Sequence, residues 1–106
     1  MKDVYQSKTR AAKKSDSREV KISVVVPLYN EEESLPELYR QLSRVFDKLK
    51  APAEFLFIDD GSTDGSMAVL SELHKQDSRV RVFQFRRNYG KSAALAQGFK
   101  EARGEL

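Results

Sequence analysis

The chain contains no cysteine. That excludes disulfide staples, thiolate zinc sites and a cysteine nucleophile, and it fits a reducing compartment. Long hydrophobic runs are missing too. The longest reach about five or six residues, far short of a membrane span. No apolar stretch of the kind found in a signal peptide follows the basic N-terminus, so a cytoplasmic location is expected. What remains is a chain of 106 residues, 40% hydrophobic and 33% charged, enough for one small domain with a packed core. The formal net charge of +3 is unevenly spread. Residues 1–21 carry seven Lys and Arg against three acids, and the other 85 residues are nearly balanced. Residues 1–20 therefore read as a basic tail, too poor in apolar groups to pack and expected to be disordered. Such a tail could make weak contact with an anionic membrane surface, and specific nucleic-acid binding is not expected.

From Lys21 onward apolar periodicity takes over. "KISVVV" (21–26) and "EFLFI" (54–58) read as buried strands, the first ended by Pro27, and "VRVFQF" (80–85) as a strand alternating enough for an exposed edge or a half-covered face. "SLPELYRQLSRVFDKL" (34–49) has helical spacing, with Ser34 and Glu37 forming a capping box and Pro36 in the first turn. "GSMAVLSELHKQ" (65–76) and "GKSAALAQGFKEA" (90–102) complete the helices, Leu95 and Phe99 being the larger apolar groups of the last. The order β-α-β-α-β-α implies right-handed crossovers, a mostly parallel sheet and a three-layer α/β domain over residues 21–106. Ligands of such sheets sit beyond the carboxyl ends of the strands. Here those ends lead into "PLYNEEE" (27–33), "DDGSTDG" (59–65) and "RRNYGKS" (86–92).

Several familiar loops are excluded. "DGSTDG" (60–65) opens like a calcium loop, but its twelfth position is Ser71 and a strand precedes it. "GKS" (90–92) lacks the earlier glycine of a phosphate loop, where Phe85 stands, and no G-x-G-x-x-G occurs. A receiver-type phosphoacceptor domain would draw acids from the first strand end, which is Pro27 here; it stays as a remote alternative.

The loop residues suit a nucleotide. Asp60, directly after a buried strand, can accept from the ring N–H of a pyrimidine or guanine base. Asp59 can orient the turn or accept from ribose hydroxyls. Asp64 is better suited to capping the next helix. Tyr29 can stack on a base, and Glu31 can meet base or ribose. Lys91, at a helix N-terminus beside Arg86 and Arg87, is the candidate for a diphosphate. His74 reads as exposed.

"ISVVVPLYNEEESL", "FLFIDDGSTDGS" and "FRRNYGKSAALAQGF" together resemble the N-terminal part of inverting family 2 glycosyltransferases with the GT-A fold. The last stretch is most similar to the polyprenyl-phosphate branch, the dolichol-phosphate mannosyl- or glucosyltransferase type. The resemblance covers about residues 21–106. It implies the nucleotide-binding half of a GT-A (Rossmann-like) fold, with Asp60 reading the base, Pro27, Tyr29 and Glu31 lining the same pocket, and Lys91 on the phosphate side. It further implies a UDP- or GDP-sugar donor, a lipid-phosphate acceptor at the cytoplasmic face of a membrane, and Mg2+ or Mn2+ as cofactor. The family holds that ion with a D-x-D motif on the next strand, and no D-x-D occurs in these 106 residues. The chain is accordingly expected to be a truncated portion of a hexosyltransferase, without catalytic or metal-binding residues of its own and inactive alone. A non-catalytic nucleotide-binding or protein-interaction module is the alternative.

Overall fold

The computed structural model describes residues 4–6 and 20–104. In chain order the elements are β1 (Val4–Gln6), β2 (Ile22–Leu28), α1 (Leu35–Leu49), β3 (Ala53–Asp59), α2 (Ser66–Gln76), β4 (Val80–Phe85) and α3 (Lys91–Glu101). The sheet order is β1-β4-β3-β2. Strands β2, β3 and β4 run parallel, and β1 is antiparallel to β4. The α/β class and the mostly parallel sheet expected from the sequence are present.

The apolar runs explain the layering. All seven residues of β3 are buried, as a strand covered on both faces requires. Successive side chains alternate between faces. Phe55 and Phe57, with Val80 and Val82 of β4, pack under α1 and α2 through Leu35, Leu70 and Leu73. Leu56 and Ile58, with Phe83 and Phe85, face α3 and its Ala94. The spacing of Leu95 and Phe99 does not mark the packed side of α3, because Phe99 is exposed. The helix instead meets the sheet through Ala94, Gln97 and Gly98. A Cβ at Gly98 would lie 2.2 Å from Val25 Cγ1, so only hydrogen fits there.

Other local expectations shift. Pro27 does not end β2, which continues to Leu28. The strand lies at the sheet edge, where a missing N–H need break no ladder bond. Strand β4 is not an exposed edge: Val4–Gln6 pair along it, and five of its six residues are buried. Within the tail read as disordered, Val4–Gln6 thus form a strand that satisfies the polar edge of β4. The rest of residues 1–19 lies outside the described residues. The Ser34 capping box does not form. The Ser34 hydroxyl turns back to Glu31 Oε1 at 2.8 Å, and Glu37 accepts from Arg40 and Gln41. His74 is half-buried, with Nδ1 2.7 Å from the Val80 carbonyl oxygen.

At the opposite end from the strand carboxyl termini, buried Glu54 collects an ionic cluster. It accepts from the Ser23 hydroxyl (2.6 Å), the Arg103 amide (2.6 Å), Arg81 (2.9 Å) and Arg103 Nε (3.2 Å). Burial by itself would raise the Glu54 carboxyl, but these donors more than offset it and hold the group below the usual range. The Gly104 amide donates to Ser23 Oγ, so the chain leaving α3 is fixed against the start of β2.

Candidate functional site

The parallel strands deliver three loops to one end of the sheet: residues 29–34 after β2, 60–65 after β3 and 86–90 after β4. The middle loop binds both neighbours.

Asn30 connects it to the first. Its φ of 52° lies in the left-handed region that Asn tolerates better than most residues. Its backbone N–H donates to Ser62 Oγ (2.8 Å), and its Oδ1 accepts from the amides of Thr63 (2.8 Å) and Asp64 (3.2 Å). Glu31 N–H donates to Ser66 Oγ at 3.0 Å. Glu32 and Asp64 exchange contacts: Asp64 Oδ2 accepts from the Glu32 amide at 3.4 Å, and Glu32 Oε1 accepts from the Gly65 amide at 2.8 Å. Asp64 Oδ1 also accepts from the Ser66 amide at 2.9 Å at the start of α2. Asp64 thus precedes the N-cap, Gly65, which has no side-chain cap, and satisfies the first helical amide from one residue farther out. Bonds from Ser66, its side chain above all, hold the exposed Asp64 carboxyl below its usual range.

Asp60 connects the middle loop to the third. It is buried, and its Oδ1 and Oδ2 accept from the amides of Tyr89 (2.8 Å) and Gly90 (3.0 Å). Its own amide donates to the Leu28 carbonyl at 2.8 Å. Gly61, with φ 79°, lets the two backbones touch: a Cβ there would sit 2.3 Å from the Arg87 carbonyl carbon. Asp59 is fully buried and accepts from the Ser62 amide at 3.0 Å through Oδ1. Its Oδ2 has no hydrogen-bond partner among the described residues. Burial first, then the neighbouring Asp64 and Asp60 charges, push the Asp59 carboxyl up, against opposing bonds from Ser62.

Among the residues singled out from sequence, Tyr29 is exposed at the end of β2, and Pro27 is half-buried one turn of the pleat earlier. Glu31 is exposed, with Oε1 accepting from Ser34. Lys91 is exposed as the first residue of α3. Arg86 and Arg87 are exposed in the third loop, with the Arg87 guanidinium 5.0 Å from the centre of the Tyr89 ring. Sequence reading overlooked the connecting residues: Asn30, Ser66, and the amides of Tyr89 and Gly90. The Asn at a strand end was the available signal, since Asn often accepts a positive φ.

A cavity of about 290 Å³ is lined by Asn30, Glu31, Glu32, Glu33, Ser34 and Asp64. Its carboxylates would repel a diphosphate, so a phosphate fits better beside Arg86, Arg87 and Lys91. Among the described residues no three His, Cys, Asp or Glu side chains converge to hold a metal ion. The loop acids do not fit that task, because Asp59, Asp60, Asp64 and Glu32 are turned onto backbone amides.

Known proteins share this fold and sequence pattern. The family described as glycosyl transferase family 2 matches residues 23–106. The glycosyltransferase YkcC of Bacillus subtilis (strain 168) is 42% identical over 88 residues, 83% of this chain and 27% of that protein. An undecaprenyl-phosphate 4-deoxy-4-formamido-L-arabinose transferase of Salmonella choleraesuis (strain SC-B67) is 42% identical over 87 residues, 81% of this chain and 27% of that protein. The chain thus spans about a quarter of the length of these relatives. Among solved structures, S. aureus TarS superimposes with a TM-score of 0.68 at 30% identity, covering 80% of this chain and 15% of TarS. The mannosyltransferase PcManGT of Pyrobaculum calidifontis, solved with GDP-Man and Mn2+, shares the fold with a TM-score of 0.59 at 23% identity, over 77% of this chain and 24% of its own.

Proposed function

This chain belongs to glycosyl transferase family 2, and we propose that its residues form the nucleotide-sugar-binding part of a transferase using a UDP- or GDP-sugar. The observation that carries the reading is the meeting of three loops at the carboxyl ends of parallel strands, Asn30 joining the first to the middle and Asp60 the middle to the third. In the proposed complex Tyr29 stacks on the base and Asp60 accepts from its ring N–H. Pro27, Glu31 and Asp59 shape the pocket, with Asp59 holding the turn through Ser62. Lys91 and the N-terminus of α3 receive the diphosphate. A polyprenyl phosphate is the proposed acceptor, with inversion at the sugar. The support is the named activity of the Salmonella relative toward undecaprenyl phosphate. Such an acceptor would place the protein at the cytoplasmic face of a membrane, although no helix among the described residues is long and apolar enough to cross one.

Mg2+ or Mn2+ belongs to the proposal for the whole enzyme, supported by the Mn2+ in PcManGT. No residue described here is assigned to it, and the role proposed for these loops is binding. The 106 residues alone are expected to bind nucleotide and transfer no sugar.

Titration with UDP and GDP, followed by heat of binding, tests the reading. One of them should bind, and Tyr29→Ala should weaken that binding about tenfold, the loss of one stacking contact of roughly 1.4 kcal/mol. Absence of binding by both at millimolar concentration would overturn the nucleotide assignment. Sugar-dependent release of UDP or GDP from UDP-glucose or GDP-mannose, with Mn2+ and a polyprenyl phosphate, would overturn the inactivity.

A further inference from the structure

Asp60 does more in this fold than wait for a base. Its two oxygens are occupied by successive amides of the loop that starts α3. Gly90, the second of these, has φ 104° and immediately precedes Lys91. Its carbonyl accepts the Ala94 amide at 3.2 Å, the first turn of the helix. One carboxylate therefore sets the orientation of the peptides from which α3 begins. Gly61 lies against the same loop, where a Cβ would meet the backbone of Arg87 and Asn88. Two carboxylate oxygens offer about four acceptor positions, and two amides leave acceptor capacity for a ligand.

We propose that Asp60 is a positioning residue: through the Tyr89 and Gly90 amides it fixes the first turn of α3 and Lys91, and so couples the nucleoside end of the cleft to the phosphate end. The ligands rest on the nucleotide reading above; the positioning itself rests on bonds present without ligand. A carboxylate that merely read the base would affect nucleoside and nucleotide alike. A carboxylate that also places the phosphate end affects the diphosphate more.

Asp60→Asn separates these cases. An amide side chain has one oxygen and one NH2, so it can accept from Tyr89 or Gly90 but presents a donor to the other. The variant and the unaltered chain are titrated with uridine, UMP and UDP and with guanosine, GMP and GDP. The loss of affinity should grow along the series that binds, by about tenfold from nucleoside to diphosphate, the size of one charge-assisted hydrogen bond. An equal loss at all three members would overturn the coupling. Amide hydrogen exchange of the ligand-free proteins is the second readout. Exchange at Tyr89 or Gly90 should quicken about tenfold in Asp60→Asn while Phe57 and Val82 in the sheet keep their rates. Unchanged exchange at both would overturn the positioning role. If none of the six ligands binds the unaltered chain, the nucleotide reading falls, and the ligand-free exchange still decides about Asp60. If Asp60→Asn does not fold, uridine and guanosine are tested on the unaltered chain. By linkage, the nucleoside that binds should slow exchange at Ser92 and Ala93 despite having no phosphate. No change there would overturn the coupling.

Discussion

Gly61→Ala should be among the most damaging single-methyl additions this domain can receive. Two costs combine. The residue has φ 79°, where a side chain is strained by about 1–3 kcal/mol. The new Cβ would also stand 2.3 Å from the Arg87 carbonyl carbon and 2.5 Å from the Asn88 nitrogen. Both obstacles are backbone, so relief means moving loop 86–90 by roughly an ångström, out of hydrogen-bond range of Asp60. Losing one of the two amide bonds to that carboxylate adds about 1.5–3 kcal/mol. The total is about 2.5–6 kcal/mol, a large part of the 5–15 kcal/mol typical of a domain. At about 4–8 °C per kcal/mol, the melting midpoint should fall by at least about 10 °C.

Two companion substitutions apportion the loss. Gly90 has φ 104° but open space around a Cβ, so Gly90→Ala reports strain alone. Gly65 lies outside the positive-φ region, and the nearest atoms a Cβ would meet belong to the Glu32 carboxylate, a side chain able to swing, so Gly65→Ala should be mildest. Thermal melts followed by far-UV circular dichroism rank the three. A Gly61→Ala cost no greater than that of Gly90→Ala would refute the tight approach of the two loops.

The remaining predictions concern buried carboxyls. Glu54→Ala would strip Arg81 of a partner inside the protein, at a cost of about 3 kcal/mol, the low end for a broken buried pair because the Glu101 carbonyl still receives Arg81 at 3.0 Å. Urea denaturation measures it, and a loss below about 1 kcal/mol would show the cluster to be solvated. Glu54 is held below its unfolded value. Its contribution is therefore full above the ordinary Glu pKa of about 4.3 and is lost as pH falls through the depressed folded value. Asp59 has the opposite sign: burial raises it, so folding favours the protonated form. Its penalty is absent below the ordinary Asp pKa of about 3.9 and develops as pH rises toward the folded value. Melts of Asp59→Asn against the unaltered chain should show the variant gaining relative stability from pH 3 to pH 7, and a constant difference across this range would contradict the burial of that charge.

Apolar pattern was the legible part of this sequence. The unbroken "EFLFI" read as a buried strand, and β3 is buried at every residue. Carboxyl-end loops then followed from parallel order alone. What stayed hidden depended on partners distant in sequence. Nothing in the sequence marked Arg81 of an alternating strand as the buried partner of Glu54 and Glu101. Ser34 and Glu37 had the spacing of a capping box, but the Ser34 hydroxyl found Glu31 first. The small residues of α3 carried no marked apolar stripe, because close approach to Val25, rather than bulk, packs that helix.

The loop acids show the same dependence. Packing Asp59, Asp60 and Asp64 into six positions invites repulsion. The structure answers it with amides: Ser62 for Asp59, Tyr89 and Gly90 for Asp60, Ser66 and Glu32 for Asp64. Turns expose backbone N–H groups that no sheet or helix satisfies, and a carboxylate is the strongest acceptor available to them. These acids thus hold three loops in register, and most of their charge is spent within the protein. The carboxylates that line the cavity at residues 30–34 and Asp64 disfavour phosphate on that side. Arg86, Arg87 and Lys91 favour it on the other. In the proposed complex a nucleotide between them lies with its base toward Tyr29 and its phosphates toward α3. Asp60 is bonded to both sides of that boundary, to Leu28 behind Tyr29 and to Gly90 before Lys91, which is why one short acidic turn can organise the whole cleft.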